Sequence, residues 1–162
     1  MIKLFSSICI EASAETVWAR LAKLEDIQLW SAAVLEAWCE GDVSQGVGAE
    51  RVCELAGNQT IRERWVAWEE GRSFTYEGFG LPMVKRAVNR WTVVPSGEKC
   101  LLTSEAELEL AGGLLNGVLE PVFGPLIRKM ATNALAPFKY FVEHGRPFKG
   151  RASELRLAPA AC

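Results

Sequence analysis

From Val34 to Leu110 the chain reads as strands and turns without a helix, and a single long apolar stretch of helical period, Leu114 to Gly145, follows. That stretch ends Leu135-Ala136-Pro137-Phe138-Lys139-Tyr140-Phe141-Val142-Glu143. Ahead of the strands lie one more strand, a capped helix and Trp30. Strands joined by short turns form an antiparallel meander with one apolar face, and one large helix has to cover it. The expected class is α+β, a curved sheet and a long C-terminal helix with a pocket between them.

Local signals place the elements. Ile2, Leu4, Ser6, Ile8 and Ile10 share one face of a strand running from Ile2 to Glu11. Ser13 stands at a helix N-cap with Glu15 in the first turn. Val17, Leu21 and Leu24, joined by Trp18, follow at helical spacing, and a short second helix is expected over Glu25 to Leu29. Strands are then predicted over Val34–Glu40, Glu50–Leu55, Gln59–Trp68, Arg72–Phe79, Ala87–Val94 and Cys100–Leu110. Gly57-Asn58 signals a two-residue hairpin turn, and Gly80-Leu81-Pro82 breaks the sheet into a loop. Pro121, Pro125 and Pro137 predict an irregular start to the last helix and a firmer part from Pro125, with Gly145 as its left-handed cap. One domain, residues 1–145, is expected, with 146–162 a poorly ordered tail.

Composition removes several classes of function. The net charge of −2 has both signs interspersed, so no basic face points to nucleic acid. No apolar run approaches the roughly 18 residues of a membrane span, and the N-terminus lacks a cleavage signal after its apolar residues. A soluble cytoplasmic protein, monomeric or homodimeric and without membrane insertion, is expected. The five cysteines are scattered without metal-site or redox spacing, and free thiols in a reducing compartment are expected. His144 is the only histidine, so no metal site built on several histidines is expected. Gly112-Gly113 lacks the lysine and spacing of a phosphate loop. No cofactor is expected.

The run Ile8-Cys9-Ile10-Glu11-Ala12-Ser13-Ala14-Glu15-Thr16-Val17-Trp18 resembles the opening of the START-like superfamily, also called SRPBCC or Bet v 1-like. Trp30, Val47-Gly48 and the Leu135…Phe138-Lys139-Tyr140-Phe141-Val142-Glu143 helix fit the same pattern, and the chain is most similar to its polyketide cyclase/dehydrase-like branch. The resemblance spans about residues 2 to 144. It implies a helix-grip fold, an antiparallel sheet wrapped around the C-terminal helix over a deep cavity. It also implies the range of activity seen among such proteins: binding of lipids, polyketides or other hydrophobic molecules, catalysis of cyclisation or dehydration in a minority, and binding modules with no known ligand.

Strand alternation selects the residues facing that cavity. Outward Arg62 and Arg64 leave Ile61, Glu63, Trp65 and Ala67 inside; outward Arg90 and Thr92 leave Ala87, Asn89, Trp91 and Val93 inside. Leu102, Ser104, Ala106 and Leu108 oppose a solvated row of glutamates, and Phe74 and Tyr76 point inward on the strand between. Leu126, Met130, Ala134 and Phe138 form a helical stripe. The ligand-binding candidates are Glu63, Trp65, Phe74, Tyr76, Asn89, Trp91, Leu102, Ser104, Met130 and Ala134.

Glu63 stands out, because a carboxylate on an apolar face needs a partner or its pKa rises. Either it anchors a ligand or serves as general acid, helped by Asn89, Tyr76 or Ser104, or the register places it at a strand end in water. Trp65 and Trp91 either stack on a ligand ring or fill core. Trp30 is structural or lies at the cavity mouth. The Gly80-Leu81-Pro82-Met83 loop is either a lid or a plain hairpin connection.

The leading expectation is a binder of a hydrophobic small molecule. The second is a cyclase or dehydratase with Glu63 or Tyr76 as proton-transfer group. The third is an interaction module with a closed cavity, meeting partners through exposed Trp68 or Phe79.

Overall fold

The structure is a computed structural model and describes residues 1–112, 121, 125, 134–151, 154–155 and 161–162. Its elements are β1 (Ile2–Ile10), α1 (Ala14–Leu21), a short 3-10 turn (Leu24–Asp26), α2 (Ile27–Trp30), β2 (Val34–Glu40), β3 (Glu50–Leu55), β4 (Gln59–Glu69), β5 (Ser73–Phe79), β6 (Val84–Ser96) and β7 (Lys99–Leu110). A last helix, α3, covers residues 134–144, and Pro121 and Pro125 are also helical. Most of the stretch expected to form the start of this helix lies outside the described residues.

The seven strands form one antiparallel sheet in the order β1-β7-β6-β5-β4-β3-β2. From β2 to β7 each strand pairs with the next, and β1 closes the far edge against β7 with Ile2 opposite Leu108 and Ile10 opposite Cys100. This is the α+β helix-grip architecture. Along the inner face Trp65, Phe74, Trp91, Val93 and Leu102 pack with Leu135, Ala136, Phe138 and Val142 of α3 in a single core. Phe138 is edge-on to Trp30 at 5.1 Å and to Trp91 at 6.3 Å, so Trp30 links α2 to both sheet and helix.

Caps hold the helices where the sequence marks them. Ser13 Oγ accepts from Thr16 N at 3.2 Å at the start of α1. Gly145, at φ 66°, donates its N–H to Phe141 O at 2.9 Å and ends α3. Lys139 Nζ donates to Cys9 O at 2.8 Å and to Glu143 Oε1 at 2.6 Å, while Glu11 N donates to the same Glu143 oxygen at 2.7 Å. These bonds tie α3 to the end of β1.

Several expectations change. A bulge in β4 between Trp65 and Ala67 reverses the alternation, so Ala67 is exposed and Trp68 turns inward. Trp68 stacks on Phe74 at 5.5 Å and meets Trp18 at 5.2 Å, and Glu70 accepts from the indole N–H of both tryptophans at 2.7 Å. It is part of the packing, not an exposed dimerisation residue; Phe79 is exposed, at 47%. The turn between β3 and β4 takes three residues, Ala56, Gly57 and Asn58, because Leu55 pairs with Gln59. Strand β6 extends past Pro95, which sits opposite Cys100 near the ladder's end. The cysteines are not all free thiols: Cys9 and Cys162 form a disulfide, and Cys39, Cys53 and Cys100 are free. Among the described residues no helix is long and apolar enough to cross a membrane.

Candidate functional site

Polar side chains cross the otherwise apolar inner face in a diagonal row, one from each of β7, β6, β5, β4 and β3. Ser104 Oγ donates to Asn89 Oδ1 at 2.9 Å, and Asn89 Nδ2 donates to the Tyr76 hydroxyl at 3.2 Å. Tyr76 and Asn89 are directly opposite in the β5–β6 ladder. Glu63 is the next member, diagonal to Tyr76, because its own ladder partner on β5 is Gly78. The row ends at Arg51, which faces Glu63 across the β3–β4 ladder.

The Arg51–Glu63 pair is buried, with 5% and 6% of the two residues exposed. Arg51 Nε and Nη2 both donate to Glu63 Oε2, at 2.7 and 2.5 Å, and the Cys53 thiol reaches the same oxygen at 3.8 Å. Arg51 Nη1 donates to Leu24 O at 2.5 Å, and the guanidinium lies 5.0 Å from the centre of the Trp65 ring. Burial pulls the Arg51 pKa down, but the adjacent Glu63 carboxylate, together with smaller contributions from Cys53 and Tyr76, leaves Arg51 above its ordinary value. Burial pushes the Cys53 thiol up to about 12, against the pull of Arg51 and with Glu63 adding to the rise. Cys53 is therefore an unreactive thiol. Glu63 Oε1 has no partner among the described residues.

Tyr76 is a neutral phenol. Burial raises its pKa well above the ordinary range and the Glu63 charge adds to this, while Arg51 and the Asn89 amide oppose it. Its oxygen accepts from Asn89, and its own proton meets no acceptor among the described residues. The unpartnered Glu63 oxygen and the Tyr76 hydroxyl belong to residues lining one cavity of about 130 Å³, together with Ile61, Gly78, Leu81, Ala87, Asn89, Ala106 and Leu108. A Cβ added at Gly78 would touch Ala87 Cβ at 3.5 Å and Leu81 Cδ1 at 3.9 Å, both ordinary contacts.

The ten residues selected from sequence divide by position. Glu63, Tyr76 and Asn89 line this cavity, and Ser104 holds Asn89 from behind. Phe74 and Trp91 line a separate void of about 20 Å³ with Tyr76, Trp30 and Arg51. Trp65 and Leu102 fill core, and Trp65 Nε1 has no partner among the described residues. Ala134, expected on the inward stripe, is exposed. Met130 and Leu126 lie outside the described residues. Arg51 and Gly78 were not picked out from sequence. Leu81, from the loop between β5 and β6, lines the cavity; Gly80 beside it has φ 86°, and a Cβ there would stand 2.7 Å from Thr60 O.

A larger concavity of about 580 Å³ lies between Tyr140, Pro147, Phe148 and Glu154, away from the sheet's inner face. Among the described residues it has no buried polar group on its wall. Among the described residues no cluster of histidine, cysteine and carboxylate side chains could hold a metal ion.

Solved structures of the same fold include a START superfamily protein from Mycobacterium smegmatis (16% identity, TM-score 0.68, covering 90% of this chain and 97% of that one). The di-domain ARO/CYC StfQ of the steffimycin biosynthetic pathway superposes with TM-score 0.72 at 13% identity, covering 89% of this chain and 51% of its own. Norcoclaurine synthase from Thalictrum flavum, solved with dopamine and hydroxybenzaldehyde, superposes with TM-score 0.63 at 16% identity, covering 90% and 88%. At these identities the likeness shows the fold alone. No curated protein sequence matches the chain. The family described as polyketide cyclase / dehydrase and lipid transport matches residues 1–143, nearly the whole chain, and this protein belongs to it.

Proposed function

We propose that the protein binds a hydrophobic small molecule, of lipid, polyketide or other aromatic or isoprenoid type, between the inner face of the sheet and the C-terminal helix. One observation carries this reading: two polar functions without partners among the described residues, Glu63 Oε1 and the Tyr76 hydroxyl proton, belong to side chains on the wall of an otherwise largely apolar cavity. Ligand sites are built this way, with apolar walls supplying affinity and a few polar groups fixing orientation. Family membership supports the same reading.

Native mass spectrometry of freshly purified protein, followed by organic extraction, tests it. The expected result is a hydrophobic adduct at one copy per chain, lost in a Gly78→Leu variant that fills the cavity and keeps the wild-type circular dichroism. Clean apo protein that also fails to take up added hydrophobic compounds would count against binding and favour an interaction module.

A second reading is a cyclase or dehydratase, favoured by one feature: a phenol that keeps its proton beside a carboxylate is a positioned acid next to a candidate base. The resemblance to the ARO/CYC fold is in keeping with it. On this reading Tyr76→Phe abolishes turnover and leaves ligand binding nearly intact.

A further inference from the structure

The two ends of the buried ion pair do not face the same space. Glu63 lines the cavity of about 130 Å³ and not the separate void of about 20 Å³, whereas Arg51 lines the void and not the cavity. The guanidinium is committed to Glu63 Oε2, to Leu24 O and to the face of Trp65. Besides the Asn89 amide, whose Oδ1 and one N–H are taken up by Ser104 and Tyr76, the described side chains lining the cavity carry one negatively polarised oxygen, Glu63 Oε1, and one neutral donor, the Tyr76 O–H. The guanidinium cancels the charge of the carboxylate without offering itself to a ligand.

We propose, on the basis of the binding function above, that the polar head of the ligand is uncharged and is at once a donor and an acceptor: a phenol, an enol or an alcohol, and not a carboxylate. A single hydroxyl satisfies both wall groups, donating to Glu63 Oε1 and accepting from Tyr76. A carboxylate head would accept from Tyr76 but set a second negative oxygen against Glu63 in a dry site, where charges act more strongly than in water. An ammonium head would donate to Glu63, yet it would leave the Tyr76 proton unmet and place a second cation near Arg51. The volume matches the head region: a cavity of this order admits a single benzene ring.

Three matched probes test this first on the wild-type protein. At about pH 7, 4-ethylphenol is neutral, 4-ethylbenzoate anionic and 4-ethylbenzylamine cationic, with the same apolar body. Titration calorimetry should find the phenol tightest and the other two weaker by at least about tenfold. In Tyr76→Phe, phenol binding should fall while the amine, which gains nothing from Tyr76, changes little. Benzoate or amine binding as tight as the phenol would overturn the neutral-head proposal and leave the binding function standing. No binding of any probe, by protein that also carries no hydrophobic adduct and takes up no added hydrophobic compound, would overturn both.

Discussion

Arg51 and Glu63 sit where neither charge is tolerable alone. Removing an ion from water costs several kcal/mol even after relaxation, and this pair repays it through two N–H donors on one carboxylate oxygen and a further bond to Leu24 O. Either single replacement should therefore be costly. Arg51→Met or Glu63→Gln is expected to lower unfolding free energy by about 3–5 kcal/mol. The double replacement should cost clearly less than the sum, because no uncompensated charge remains. Urea denaturation of the four proteins measures this cycle, and single variants within about 0.5 kcal/mol of wild type would show that the pair is not buried as described. The carboxylate half of the pair was legible in the alternation of β4; its partner was not. A two-residue turn at Gly57-Asn58 would pair Ala56 with Gln59 and set Arg51 against Arg64. The actual turn absorbs Ala56 as well, and that one-residue slip brings Arg51 opposite Glu63.

Among the elements, β4 departs most from a simple strand. Up to Trp65 the period-2 pattern holds and sends Ile61, Glu63 and Trp65 to the inner face; beyond the bulge the same pattern would send Trp68 to solvent. A bulge leaves no mark in hydrophobicity alone, since Trp65, Val66, Ala67 and Trp68 are apolar on both faces. The cap residues Ser13 and Gly145, by contrast, were legible because each cap needs one particular side chain or one left-handed φ. The two aromatic residues that alternation alone places at the surface, Trp68 and Phe79, should separate cleanly. Trp68→Ala loses a stack on Phe74, an edge contact with Trp18 and a bond to Glu70, and should cost about 2–3 kcal/mol. Phe79→Ala removes an exposed ring and should change stability by no more than about 0.5 kcal/mol. Thermal unfolding of both variants decides the point, and equal effects would refute the bulged register.

For the whole molecule, the last helix and the last residue meet the same corner of the sheet. Cys9 is where β1 receives Lys139 from α3 and also where Cys162 is bonded, so the helix and the last residue converge on one short stretch of edge strand. Five scattered cysteines give no sign of this, because a bond between residues 153 apart in sequence depends on where the tail runs, not on spacing. Its location also has a chemical consequence: a cytoplasm rich in thiols holds such a pair reduced, while an oxidising compartment keeps it closed. Denaturing the protein without reductant in iodoacetamide should label three cysteines, Cys39, Cys53 and Cys100, and prior reduction should raise the count to five. Closing a loop of this length contributes at most about 5 kcal/mol through the unfolded chain, so reduction should lower the Tm. The loss should be partial, because the Lys139 and Glu143 bonds to β1 do not depend on the disulfide. Five labels without reductant would mean that the bond does not form under those conditions, and α3 would then be held to the sheet by those polar contacts and its buried face alone.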